Sequence, residues 1–154
     1  MKALLFATIA TVAAVFASNP AQASEPTVLL KLAEAPLTGK YTKDESELRT
    51  LSILADGTIV SSKQGLDQFV GTLGQTELAE AKNLISEAAH GEIKNNIGQM
   101  VCLAIPTRWV QMTASDDSIL LNVGTAPCGG LEYNDSAAAQ KLGEILSRLS
   151  YQYR

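Results

Sequence analysis

Residues 48–64, LRTLSILADGTIVSSKQ, carry the strongest local signal in the chain. Asp56-Gly57 lies between a strand-like run ending at Ala55 and another starting at Thr58. Asp-Gly suits a two-residue type I′ turn, because both central positions need positive φ. That turn pairs Ile53 with Val60 and Leu54 with Ile59, which places matched apolar pairs on both faces of an antiparallel hairpin.

A second hairpin is expected further on. TRWVQMTA and SILLNV have strand composition and flank the turn-forming SDDS at residues 115–118. Pairing Ser115 with Ser118 sets its register. Upstream, TVLLKLAE at 27–34 reads as a first strand ended by Ala35-Pro36, and the charged stretch 37–47 reads as a solvated loop.

Two segments switch to helical period. In TELAEAKNLISEAAHGE, residues 76–92, the apolar stripe is Leu78, Ala81, Leu84, Ile85 and Ala88, with Gly91 placed for a stop. In the last segment, 134–154, Asp135 or Ser136 is the N-cap and Ala138, Leu142, Ile145 and Leu149 share one face. The order is strand, hairpin, helix, hairpin, helix. No βαβ crossover is visible, so the expected fold is α+β: an antiparallel sheet of hairpins with two amphipathic helices packed on one face. Gly57 to Leu78 and Asp117 to Ala138 are equally spaced, which hints at two related hairpin-plus-helix halves.

The N-terminus reads as an address. Lys2, an uncharged apolar stretch from Ala3 to Ala17, and the small-residue site Ala21-Gln22-Ala23 form the three parts of a secretory signal peptide. Cleavage is expected between Ala23 and Ser24, making residues 1–23 the signal and residues 24–154 a single domain. No cysteine stands near that site to carry a lipid. The location implied is the periplasm or the extracellular space. With 12 basic against 16 acidic residues and no Lys/Arg run, nucleic acid and anionic membranes are poor partners, because both bind largely through clustered cations.

In an oxidising compartment, the only two cysteines, Cys102 and Cys128, are expected to form a disulfide. The simple hairpin register leaves them three residues out of step, about 10 Å along a strand. A bulge or fold-back near Pro106 or Gly129-Gly130 would absorb that offset.

Catalytic signatures are absent: there is no Gly-x-Ser-x-Gly, no His-Glu-x-x-His and no phosphate loop. The single histidine, His90, falls at a predicted helix C-terminus, where its partial charge suits the helix dipole. Asp116 and Asp117 read first as a polar turn and second as a weak binding point. Asp44, Glu45 and Glu47 read as a solvated charge run. Asn134-Asp135-Ser136 matches a glycosylation sequon, but helix capping accounts for it more simply. Arg108 and Trp109, adjacent on a strand, point to opposite faces, and both are residue types that dominate binding hot spots.

These readings imply a small exported non-catalytic binding protein without a cofactor. Its partner would be a protein, and it would act as an inhibitor of, or accessory to, an envelope or secreted enzyme. The layout, with helices ending in an apolar stripe from Leu142 to Leu149, resembles that of emfourin-type bacterial metalloprotease inhibitors; the resemblance implies inhibition and assigns no residue. The alternatives are a self-associating envelope component and an enzyme with an unrecognised carboxylate site.

Overall fold

The computed structural model describes residues 26–38, 42–96, 106–126 and 129–153. In chain order the elements are β1 (Val28–Thr38), β2 (Thr42–Lys43), a 3-10 turn (Glu45–Glu47), β3 (Arg49–Leu54), β4 (Thr58–Lys63), β5 (Leu66–Thr72) and α1 (Gln75–Ala88). Then follow β6 (Ile93–Asn95), β7 (Arg108–Ala114), β8 (Ile119–Ala126), β9 (Gly129–Asn134) and α2 (Ala137–Gln152). The strands pair antiparallel in the order β5-β4-β3-β1-β7-β8-β9-β6, with β2 alongside the end of β1. The fold is α+β, as the sequence implied, but β2, β5, β6 and β9 are strands that the hairpin reading did not anticipate.

The Asp56-Gly57 hairpin forms with a different turn. Ile53 faces Ile59 and Ser52 faces Val60, one residue away from the expected register. The loop has three residues. Gly57 takes φ +92° and donates its N–H to the Leu54 carbonyl at 2.9 Å, which is a turn followed by a left-handed residue rather than a type I′ pair. Asp56 accepts the Thr58 N–H at 2.8 Å and so favours the wider loop. A one-residue slip exchanges faces. Leu51, Ile53 and Ile59 therefore share the buried side, and burial is not divided between two faces as the expected pairs implied. A two-residue turn with positive φ at both positions does occur at Gln64-Gly65, where it joins β4 to β5.

Pro36 does not end the first strand. Leu37 donates to Thr107 at 3.0 Å on the β7 side, while the Pro36 carbonyl accepts from Asp44 at 2.9 Å on the opposite side. The missing proline N–H thus points where pairing with β3 has stopped, at Glu34–Arg49, and no ladder bond is lost. The expected loop 37–47 contains β2 and the 3-10 turn, whose N-cap Asp44 accepts the Ser46 N–H at 3.0 Å.

At the second hairpin the expected register holds next to the tip, with Ala114 opposite Ile119. It shifts by one between Met112 and Thr113, where Leu121 is the extra residue of a bulge. The two halves share a connectivity, since each is a three-strand meander followed by a helix: β3-β4-β5-α1 and β7-β8-β9-α2.

The helix α1 buries the five residues of its expected stripe and ends at Ala88, with Gly91 donating to the Ala88 carbonyl at 3.1 Å. For α2 the N-cap is Ser136, whose Oγ accepts the Ala139 N–H at 3.1 Å. Leu146 rather than Ile145 completes its buried face. α2 packs on β1 and β8, and α1 packs on α2. Leu30, Ile53, Ile59, Leu142 and Leu146 are wholly buried in the single core between sheet and helices. Each such side chain stabilises the fold by about 1.5–3 kcal/mol relative to exposure.

Candidate functional site

Along β1 the helix-facing positions run Leu30, Leu32, Glu34: two core leucines and then a carboxylate that is also buried. Pairing register carries this change across the sheet. Glu34 lies opposite Arg49 on β3, and Arg49 lies opposite Lys63 on β4. On the other flank Pro36 lies opposite Arg108 on β7. The sheet is therefore apolar where the helices cover it and charged beyond them. An open cleft of about 880 Å³ occupies that end, lined by these four charged residues and Glu47 together with Ser61, Gln68, Phe69 and the α2 end at Tyr153.

Glu34 organises the cleft. Its carboxylate accepts from Arg108 Nη1 at 3.4 Å and forms an ion pair with Arg49 Nη1 at 3.8 Å. Arg49 also donates through Nη2 to the Tyr153 carbonyl, which ties α2's C-terminal end, where the helix dipole favours a cation, to β3. A carboxylate this buried costs several kcal/mol of lost hydration unless it is paired, so its two guanidinium partners are part of why Glu34 can remain there. Lys63 pairs with Glu47 at 3.3 Å. Three cations thus share the cleft with two carboxylates, and two of the cations, Arg49 and Lys63, stand directly opposite on neighbouring strands, an arrangement that costs stability.

Arg108 and Trp109 do lie on opposite sides of β7. Trp109 is half-buried on the sheet face away from the helices, with Lys43 Nζ 4.2 Å from its ring centroid. A shallow hollow of about 240 Å³, bordered by Lys31, Thr50 and Gln111, adjoins it.

The acidic tip is used internally. Asp116 Oδ1 accepts the Val28 N–H at 2.7 Å, and the Ser115 and Asp116 N–H groups donate to Leu29 and Val28, each at 2.9 Å. Asp117 accepts from Lys31 at 2.7 Å and from the Thr113 hydroxyl. These bonds hold Ser115, Asp116 and Asp117 at φ 54°, 52° and 65°, a left-handed run that L-residues adopt at a cost. Partial burial raises the Asp117 pKa, but the Lys31 and Thr113 hydrogen bonds and the Lys31 charge outweigh it and hold the carboxyl below the usual range.

Cys102, Cys128, Ala23 and Ser24 lie outside the described residues. His90 is exposed just past α1. Asn134 is buried, donating to the Ala88 carbonyl at 2.8 Å and accepting the Ser136 N–H at 3.1 Å, so the folded chain does not present this sequon. Among the described residues no group of three His, Cys, Asp or Glu side chains could hold a metal ion, and no helix is long and apolar enough to cross a membrane.

No family model, curated protein or solved structure matches the chain. The resemblance to emfourin-type inhibitors drawn from the sequence gains no support from these comparisons. Sequence reading found Arg108 and missed Glu34, Arg49 and Lys63. Their signal was a charge continuing an apolar alternation: Glu34 after Leu30 and Leu32, and Arg49 before Leu51 and Ile53.

Proposed function

We propose that the chain is exported with loss of residues 1–23 and serves as a non-catalytic binding protein in the periplasm or extracellular space, an inhibitor of or accessory to a secreted or envelope enzyme. A Cys102–Cys128 disulfide completes the mature fold in this reading. The contact surface is the charged cleft, with Trp109 behind it on the other face of β7.

One observation carries the proposal: Arg108 keeps 44% of its side chain exposed while a buried carboxylate holds its guanidinium in place. A cation that is both presented and fixed loses little side-chain freedom on binding, which is what a contact residue needs.

The test is capture. The oxidised protein, used as bait against envelope and secreted fractions, should retain a stoichiometric protein partner, and Arg108→Ala should release it. A folded bait that retains nothing would defeat the binding reading.

A further inference from the structure

We propose that the cleft takes an extended acidic segment of a protein partner, with one carboxylate on Arg108 and a second, about four residues along, on Lys63. This rests on the binding reading above and adds the chemistry of what is bound.

The cations of the cleft are not equivalent. Arg49 is engaged by Glu34 and by the Tyr153 carbonyl, and only 23% of its side chain is exposed. Arg108 and Lys63 retain 44% and 60% exposure. Glu34 engages Nη1 of an Arg108 fork that has five N–H donors, and Glu47 holds Lys63 at 3.3 Å while itself well exposed, so an incoming carboxylate can take other Arg108 donors and compete with Glu47 for Lys63.

The strand order separates these two cations. Lys63 on β4 and Arg108 on β7 are three inter-strand steps apart across β3 and β1 and two residues out of register, roughly 16 Å at the backbone. One carboxylate does not span that distance. An extended chain rising about 3.3 Å per residue sets two acidic side chains four residues apart roughly 13 Å from each other, and the long side chains of Lys63 and Arg108 cover the remainder. The cleft wall also suits a peptide better than a lone anion, since Phe69 is 65% exposed beside Gln68 and Ser61, offering apolar contact and hydrogen-bonding groups together.

Charge complementarity is local. The whole chain carries −4, whereas the cleft holds three cations against two carboxylates. Acidic partners are therefore repelled in general and accepted at this end, which favours selectivity over indiscriminate attraction.

Calorimetric titration of the full exported protein tests this with three probes: a flexible Gly/Ser decapeptide bearing two glutamates four residues apart, the same peptide with glutamines, and inorganic phosphate. The diglutamate peptide should bind about tenfold more tightly than either control, and Arg108→Gln and Lys63→Gln should each remove most of that preference, with Lys63→Gln melting as wild type and Arg108→Gln folded but melting slightly lower. Equal affinity for the glutamine peptide, or the absence of binding, overturns the proposal. Phosphate binding as tightly as the diglutamate peptide also overturns it, by making this a small-anion site. Partner capture separates the two readings: a partner retained equally by wild type and by the double variant leaves export and binding standing but takes the contact surface off the cleft, and the acidic segment with it.

Discussion

The carboxylate of Glu34, on the same face of β1 as the core leucines Leu30 and Leu32, lies 3.4 Å from Nη1 of Arg108, whose neighbour Trp109 occupies the opposite face of the sheet. A buried acid thus sits at the boundary between the apolar core and the open cleft. Its pairing both stabilises that boundary and fixes the cation presented to solvent.

Removing the acid should expose this double role. Glu34→Ala leaves Arg49 and Arg108 without their shared counter-ion, and we expect a loss of about 2–3 kcal/mol in urea unfolding, below the value for a fully buried pair because Arg108 is half exposed. Arg108→Ala should cost less than 1 kcal/mol of stability while abolishing partner capture. Equal stability losses in the two variants would contradict the assignment.

Gly57 should tolerate no side chain. Its φ of +92° lies where L-residues are strained, and an added Cβ would stand 3.2 Å from Leu78 Cδ2 on α1. We expect Gly57→Ala to destabilise by about 2 kcal/mol. A melting temperature unchanged from wild type would show that the loop relaxes without strain.

Acid should loosen the 115–118 tip. The Asp117 pKa is depressed in the folded state, so its contribution is present above the unfolded value of about 3.9 and is lost as pH falls through the folded value. Asp117→Asn should therefore cost on the order of 1 kcal/mol at pH 7 and flatten the pH dependence of stability below about pH 4. Parallel stability–pH curves for variant and wild type would refute this.

The cysteines give a test that depends only on export. Intact mass before and after reduction should show the Cys102–Cys128 bond, and reduction should lower stability by roughly 3–4 kcal/mol. Two free thiols in the exported protein would remove the disulfide from the proposal.

Much of the fold was written locally. Helical stripes from Leu78 to Ala88 and from Ala138 to Leu149 repeat with the period of their own secondary structure, so residues a few positions apart announce the buried face. Asp56-Gly57 and SDDS marked two hairpins for the same reason, since a turn is decided by the residues in it.

What the sequence by itself determined, then, is the class of the domain, the two helices and the places where the chain reverses. Tertiary structure selected the register at Asp56-Gly57 between the two loops these residues can form, because only one of them buries Leu51, Ile53 and Ile59 on one side. It decided the extension of β1 through Pro36, because only the arrangement of β3 and β7 leaves that missing N–H without a partner to lose. It also assembled the cleft: Glu34, Arg49, Lys63 and Arg108 come from four strands, and no local pattern brings together residues whose proximity is set by strand order.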